Sequence, residues 1–211
     1  MMLVAGLSVL IAIFAIGNIT MDYCGRRRGI YLTKPVPMVL IICLALLSTQ
    51  GMSSGYRWAV LLGLLFSLVG DTMLMLPEDQ FLPGLASFLV AHLCYIVAFS
   101  RGVALFTSYL LPVLLLTVAL GVFLRLRPHL GSMTIPVLLY MLVISAMVWR
   151  AGERWLQAPN IGALTAFVGA LLFLISDAAL AVERFVGPFR IAKALVLGTY
   201  FCAQWLIALS T

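Results

Sequence analysis

Residues 159–182 read PNIGALTAFVGALLFLISDAALAV, an apolar stretch in which Asp177 is the one charged residue. A transmembrane helix needs about 20 mainly apolar residues, because each residue advances about 1.5 Å through a hydrocarbon core about 30 Å thick. The stretch therefore predicts a membrane-spanning helix that carries a carboxyl group. Similar apolar stretches fill the rest of the chain, and they determine the fold class.

The composition extends this prediction to the whole chain. Of 211 residues, 64% are apolar, 13 are basic and 7 are acidic. A soluble domain usually has about a quarter of its residues charged, so we expect a single integral membrane domain over residues 1–211. The net charge of +6 does not indicate nucleic-acid binding, because the basic residues are scattered between apolar runs instead of clustered on one face.

Apolar runs separated by charged residues, proline or glycine predict an all-α bundle of about eight transmembrane helices. The second run is short for a crossing, so its helix is expected to begin earlier, near Tyr31. Short connections make neighbouring helices antiparallel and leave no room for an extramembrane domain. The predicted spans are 2–20, 35–50, 57–76, 83–100, 105–124, 133–150, 159–182 and 190–210.

Basic residues are distributed unevenly between the two ends of this bundle. One end has nine, namely Arg26, Arg27, Arg28, Lys34, Arg125, Arg127, Arg184, Arg190 and Lys193. The other end has four, namely Arg57, Arg101, Arg150 and Arg154. Cytoplasmic loops of membrane proteins carry the excess of Lys and Arg. We therefore expect both termini outside the cytoplasm, in a bacterial inner membrane.

Two segments of the chain resemble each other. GLLFSLVGDTML at 63–74 and GALLFLISDAAL at 169–180 both place a glycine eight residues before an aspartate. They are the third and seventh predicted helices and run in the same direction, which fits a parallel four-plus-four repeat. Apolar segments also match by chance, and the sequence leaves both explanations open.

Two of the acids lie where lipid is expected. Asp71 and Asp177 fall inside predicted helices, where a charged side chain costs about 2.5 to 3.5 kcal/mol on insertion scales. Each lies about five residues from the cytoplasmic end of its span, or about 7 to 8 Å deep, so the two can share a site. The other acids are predicted in loops accessible to water: Asp22, Glu78, Asp79, Glu153 and Glu183.

Further polar residues of the predicted helices are candidates for the same site. They include two pairs that each share a helical face, His92 with Tyr95 and Tyr200 with Gln204. For a single tyrosine or glutamine the alternative is an interhelical hydrogen bond, and for a lysine it is contact with lipid headgroups. The full set is Lys34, His92, Tyr95, Tyr140, Lys193, Tyr200 and Gln204.

Two carboxyl groups in a poorly solvated pocket fit general acid and general base catalysis, because one stays protonated while a cation keeps the other ionised. The sequence contains no GxSxG motif and no pairing of Cys with His that would predict a nucleophile. Two histidines are too few for a three-histidine zinc site. A metal site of Asp71, Asp177 and His92 stays open without support from spacing, and we predict no cofactor and no metal.

A small proton-coupled transporter or lipid translocator is the main alternative from another class. Buried Asp, Lys and His are also the components of proton relays, and a duplicated bundle suits alternating access. Transporter helices are often broken inside the membrane, whereas the spans that carry Asp71 and Asp177 have no internal proline. A structural membrane subunit is the third possibility, and it leaves both acids unexplained.

Several motifs around these residues resemble the YhhN-like lysoplasmalogenase family of integral membrane proteins. They follow in order from the second predicted helix to the last. The GD, AHxxY, SD and YxxxQ elements are more specific together than any one of them alone. The motifs are TKP (33–35), GDTMLM (70–75), FLPGLASFLVAHLCYIVAF (81–99), GALLFLISDAALA (169–181) and TYFCAQWLIAL (199–209).

The resemblance implies an eight-helix hydrolase that cleaves the vinyl ether bond of lysoplasmalogen, a lysophospholipid. The products are a fatty aldehyde and glycerophosphoethanolamine or glycerophosphocholine. The positions that match the family's functional residues are Lys34, Asp71, His92, Tyr95, Asp177, Tyr200 and Gln204.

The vinyl ether chemistry also fits these residues. Such a bond hydrolyses by proton transfer to carbon, followed by capture of an oxocarbenium ion by water, so it needs a protonated acid and an ionised carboxylate. Our hypothesis gives these roles to Asp71 and Asp177 without choosing which is which. Lys34, with Lys193 or the basic residues 26–28, is expected to hold the lipid phosphate.

Overall fold

The computed structural model of the protein describes residues 2–48, 53–76, 78 and 80–211. This part of the chain is almost entirely helical and contains no β-strand, which confirms the all-α prediction. Its α-helices are α1 (Met2–Tyr23), α2 (Arg27–Thr33), α3 (Pro35–Leu47), α4 (Ser54–Met75), α5 (Phe81–Ser100), α6 (Leu110–Leu130), α7 (Thr134–Gln157), α8 (Ile161–Phe185) and α9 (Ala192–Leu209).

Seven stretches of the described residues are long and apolar enough to cross a membrane. One of them, Leu110–Gln157, contains both α6 and α7, which are separated by a turn at Gly131 with a φ of 51°. A Cβ atom added to Gly152 near the end of α7 would lie 2.3 Å from Leu111 Cδ2 at the start of α6. The two helices therefore form an antiparallel hairpin, and the stretch supplies two of the roughly eight predicted crossings.

The second crossing, Arg28–Leu47, is divided by a junction at Lys34. Its start at Arg28 agrees with the expectation that this helix begins before residue 35. Pro35 is the first residue of α3, a position where a missing N–H group costs no helical hydrogen bond. The last two residues of the predicted span, 49 and 50, lie outside the described residues.

The structure corrects the predicted ends of the fifth and sixth spans. α6 runs to Leu130 instead of 124, and α7 runs to Gln157 instead of 150. The longer α7 carries both Arg150 and Glu153 into the interior, so the prediction that Glu153 lies in water is wrong. The backbone of the connection at 101–109 provides the hydrogen-bond partners that allow these two charges to be buried.

The closest helix pairs are α4 with α5 and α8 with α9. A Cβ atom at Gly63 would lie 2.3 Å from Tyr95 Cε1, and one at Gly169 would lie 2.9 Å from the carbonyl oxygen of Ala203. These glycines are the two that precede an aspartate by eight residues. The helix pairs α4–α5 and α8–α9 thus both pack closely at the glycine that precedes the aspartate, which is consistent with the repeat suggested by the sequence.

Candidate active site

A polar cavity of about 270 Å³ lies at the end of the bundle where α1 ends and α9 begins. Both buried acids, Asp71 of α4 and Asp177 of α8, line it. α8 extends to Phe185, so Asp177 is eight residues from the end of its helix instead of the predicted five. The charged residues that line this cavity are Asp22, Lys34, Asp71, Asp177, Glu183, Arg184 and Lys193.

Asp71 is almost completely buried, with 3% of its surface exposed. Its Oδ2 atom accepts a hydrogen bond of 2.6 Å from the Tyr200 hydroxyl, and its Oδ1 atom lies 3.5 Å from Lys34 Nζ. Lys34 reaches this position because it lies at the α2–α3 junction, next to the cavity. One phenol and one ammonium group therefore contact the two oxygens of this carboxyl.

Asp177 is surrounded differently. The Tyr140 hydroxyl donates a hydrogen bond to its Oδ2 atom, and His92 Nε2 lies 3.3 Å from the same oxygen. His92 Nε2 is also 2.9 Å from the Tyr140 hydroxyl. Its other ring nitrogen, Nδ1, is buried and has no partner within the described residues. A proton at Nδ1 would be an unpaired buried donor, so the hydrogen-bond network assigns the proton of the neutral ring to Nε2.

The partners of the two acids follow one scheme. Each acid lies on the third span of its half and is contacted by the second span of the same half and the fourth span of the other half. For Asp71 these partners are Lys34 and Tyr200. For Asp177 they are Tyr140 and His92. The fourth span of each half therefore contributes one residue, Tyr200 or His92, to the acid of the other half.

Tyr95 and Gln204 lie deeper than the cavity. The Tyr95 hydroxyl donates a hydrogen bond of 2.7 Å to Gln204 Oε1, and both side chains are fully buried. The pair connects α5 to α9, the two helices that supply His92 and Tyr200. Both candidates are therefore buried behind the residues that line the cavity, and neither lines it.

Lys193 lies at the mouth of the cavity and is 42% exposed. Its Nζ atom donates hydrogen bonds to the carboxylate of Asp22 and to the Asp22 carbonyl oxygen, the latter at 3.1 Å. Glu183 also lines the cavity beside this pair. Asp22 and Glu183 were not predicted as site residues, because both were expected in loops accessible to water.

Phe173 packs between the two acid clusters. Its ring makes edge contacts with His92, at 4.6 Å between centroids, and with Tyr200, at 5.5 Å. Phe88 packs against both Phe173 and Tyr200. These rings fix the imidazole and the phenol that contact the acids, and they close the inner side of the polar cavity.

A second cavity, the apolar crevice, joins the polar cavity at Asp177. It has a volume of about 90 Å³ and is lined almost entirely by apolar side chains of α5, α6, α7 and α8. The residues common to both cavities are Leu74, Phe81, Phe88, Asp177 and Leu180. The site therefore combines a charged cavity with an apolar one, and the carboxyl group of Asp177 lies at their junction.

The described residues contain no group of three or more His, Cys, Asp or Glu side chains arranged to hold a metal ion. Asp71, Asp177 and His92 are accordingly not gathered around one point. The groups that contact one another around Asp71 and Asp177 are two carboxyls, an ammonium, an imidazole and two phenols.

The fold and the cavity together define an integral membrane protein with a charged site embedded at one end of its helical bundle. The sequence pattern of the YhhN family matches residues 29–211, and the chain belongs to this family. That match covers every residue of the site except Asp22.

Curated relatives give the match more detail. The membrane protein YhhN of Escherichia coli O157:H7 is 29% identical over 193 residues, which cover 92% of each chain. Lysoplasmalogenase TMEM86B of Homo sapiens is 39% identical over 175 residues, which cover 81% of this chain and 71% of the relative. Lysoplasmalogenase TMEM86A of Bos taurus is 37% identical over 163 residues, or 72% of this chain and 64% of the relative. No solved structure matches the chain significantly.

Proposed function

We propose that this protein is a hydrolase that cleaves the vinyl ether bond of lysoplasmalogen, releasing a fatty aldehyde and a glycerophospho-headgroup. The observation that carries the proposal is the position of Asp177 at the junction of the polar cavity and the apolar crevice, with Asp71 on the same polar cavity. The similarity to relatives named lysoplasmalogenase supports the same substrate.

The two compartments suit the two parts of a lysophospholipid. The polar cavity, of about 270 Å³, would take the glycerophospho-headgroup, and the crevice would take the first part of the alkenyl chain. The vinyl ether bond lies between these parts of the lipid, so it would stand next to Asp177. By the count of basic residues, this end of the bundle faces the cytoplasm.

The surroundings of the acids support different roles for them. Both neighbours of Asp177 contact its Oδ2 atom, which leaves Oδ1 free to carry a proton into the cavity. Asp71 has the Lys34 ammonium group beside Oδ1 and accepts a hydrogen bond from the Tyr200 phenol at Oδ2, so both of its oxygens are already contacted and a positive charge lies next to it. We therefore assign Asp177 as the general acid and Asp71 as the carboxylate that activates water.

The reaction then proceeds in three steps. Asp177 transfers its proton to the vinyl carbon that is not bonded to oxygen, and the adjacent carbon becomes part of an oxocarbenium ion. Water adds to that carbon while Asp71 takes one of its protons, which gives a hemiacetal. The bond to the glycerol oxygen then breaks: protonated Asp71 gives its proton to that oxygen, which leaves as an alcohol, while ionised Asp177 takes the proton of the hemiacetal hydroxyl and the fatty aldehyde is released. One water molecule is consumed, and both carboxyl groups return to their starting states.

The experiment is an assay of aldehyde release from lysoplasmenylethanolamine by the purified protein in detergent. We expect aldehyde from wild type, none from the saturated ether analogue, and a loss of activity in Asp71→Asn and Asp177→Asn. Glu78→Gln is the matched control, since Glu78 is an exposed acid at the same end that does not line the cavity. A folded wild type that releases no aldehyde would contradict the proposal, and full activity in both Asn variants would contradict the mechanism.

A transporter would use the same buried charges for a different purpose. The acid-bearing helices α4 and α8 are continuous over 22 and 25 residues, without the mid-membrane break that transporter sites often have. Aldehyde release in detergent, where no second compartment exists, separates the two functions directly.

A further inference from the structure

Seven charged residues line the polar cavity, four acidic and three basic. When one catalytic carboxyl is protonated, as the proposed reaction requires, the remaining charges sum to zero. A cavity with balanced charges of both signs suits a zwitterionic ligand better than an anion, because an anion would leave negative charge uncompensated. The distribution of these charges shows where each end of such a ligand would lie.

Two of the four acids, Asp22 and Glu183, lie at the mouth of the cavity, where the Arg184 guanidinium lies over the Phe81 ring. There, Lys193 is bonded to Asp22, and Glu183 interacts electrostatically with both of these residues. Two carboxylates thus share one ammonium group, and Glu183 makes no direct hydrogen bond within the described residues. This group of Asp22, Glu183 and Lys193, the mouth cluster, therefore contains two carboxylates and one ammonium group.

The distance from Asp177 to the mouth cluster matches the distance from the ether oxygen to the headgroup amine in the proposed substrate. Glu183 follows Asp177 by six residues on α8, a rise of about 9 Å along the helix axis. An extended chain of single bonds advances about 1.2 Å per bond, so the headgroup amine lies about 11 Å from the ether oxygen and the phosphorus about 6 Å from it. With the vinyl ether at Asp177, the amine reaches Glu183 and the phosphate lies between, on the side of the lysines.

The mouth cluster also favours one kind of amine. A primary ammonium donates hydrogen bonds to carboxylates, whereas a quaternary ammonium is usually held by open aromatic faces. At this level Phe81 lines the cavity, and the guanidinium of Arg184 already lies over its ring at 4.9 Å from the centroid. The chemistry of the mouth is therefore that of a carboxylate site.

We infer that Glu183 is a specificity-determining residue: the mouth cluster is a subsite for the primary ammonium of an ethanolamine headgroup, and it selects that headgroup over choline or a bare phosphate. The inference deepens the proposed function, because it requires a lysophospholipid in the polar cavity. It does not require that the protein hydrolyse that lipid.

The test is a binding measurement with lipids that cannot be hydrolysed. Saturated ether lysolipids that carry phosphoethanolamine, phosphocholine or phosphate alone are titrated against the detergent-solubilised protein, and tryptophan fluorescence reports binding. Wild type is compared with Glu183→Gln and with Glu78→Gln, the exposed acid outside the cavity. Thermal unfolding of each variant checks that it is folded; Glu183 is partly exposed near the end of its helix, so Gln is expected to be tolerated.

We expect Glu183→Gln to weaken binding of the ethanolamine lipid about tenfold, the effect of one charge-assisted hydrogen bond, and to leave the phosphate lipid unchanged or tighter. Glu78→Gln should change neither. An equal loss for all three lipids, or no loss for any, would overturn the inference. Normal selectivity without aldehyde release from the vinyl ether lipid would leave the subsite standing and refute the proposed hydrolase activity instead.

Discussion

Both ends of the bundle bury charged side chains, but they do so in different ways. At the end near α7's C-terminus, Glu153 accepts hydrogen bonds from the Thr107 N–H at 2.7 Å and from Trp149 Nε1 at 3.2 Å. Arg150 donates to Ser100 Oγ at 2.9 Å and to the carbonyl oxygens of residues 103, 104 and 105. This cluster, which we call the loop staple, consists of Arg150 and Glu153 bonded to the connection at 101–109.

At the other end, Asp177 has one oxygen that no neighbouring side chain contacts. Asp177 is 13% exposed on a cavity, and its two neighbours contact a single oxygen. A buried charge whose bonds are all made by its own protein stabilises the fold, whereas one that presents an oxygen to a cavity can bind or protonate a ligand. Burial of charge is therefore a weaker indicator of function than an unused oxygen on a cavity.

The largest effect is expected for Asp177→Asn. An amide cannot deliver the proton, and loss of a general acid typically costs 10²- to 10⁴-fold, so kcat/KM should fall about a thousandfold. The thermal stability should stay near that of wild type, because Asn still accepts the hydrogen bond from Tyr140. Initial rates of aldehyde release measure the effect, and a fall of less than about tenfold would show that Asp177 is not the acid.

At the loop staple, Glu153→Gln is expected to affect stability and not chemistry. In the wild type, N–H groups donate hydrogen bonds to the Glu153 carboxylate. In the variant the amide nitrogen of Gln cannot accept them, so the free energy of unfolding should fall by about 2 to 3 kcal/mol. Denaturation in detergent measures this loss. Activity per folded molecule should stay within about twofold of wild type, and a selective loss of activity would mean that the two ends do not differ as argued.

A smaller effect is expected for Tyr140→Phe, which removes the hydroxyl that holds Asp177 Oδ2. Loss of one such hydrogen bond should lower kcat about tenfold through poorer positioning of the acid. Tyr56→Phe is the matched control, because the Tyr56 hydroxyl is also buried but bonds to Ser210 at the other end, at 2.7 Å. Equal losses of activity in the two variants would indicate a general effect on packing.

The smallest effect is expected for Lys193→Gln. Its pair with Asp22 is partly exposed, and such pairs contribute about 0 to 1 kcal/mol to stability. The free energy of unfolding should therefore change by less than about 1 kcal/mol, in contrast to Glu153→Gln. A change as large as that of the loop staple would show that the mouth cluster also has a structural role.

The sequence predicted the helical bundle and the residues next to the acids, because lipid imposes simple rules on length and polarity. Asp71, Asp177, Lys34, Tyr200 and His92 were all recognisable as polar groups in apolar helices. Which partner contacts which acid was not predictable, since Tyr200 and His92 reach their acids from helices of the other half of the chain. Sequence spacing reports faces of one helix and carries no information about pairing across helices.

At the loop staple, by contrast, the sequence did not predict where the helix ends. Arg150 and Glu153 end an apolar run, and a run of this kind is interpreted as ending where charge begins. In the structure α7 continues past them, because the connection at 101–109 folds over the helix end and supplies the missing hydrogen bonds. A tertiary contact of this type lets a helix continue beyond the end that its hydropathy predicts. The same limit applies to Lys193, whose partner Asp22 lies 171 residues away.

The most direct test of the account measures Asp177→Asn and Glu153→Gln side by side for two quantities, aldehyde release per folded molecule and free energy of unfolding. The account predicts that Asp177→Asn loses about a thousandfold in rate with little change in stability, and that Glu153→Gln loses about 2 to 3 kcal/mol with little change in rate. The contradictory result is the reverse pattern, or a loss of rate in both variants that follows their loss of stability.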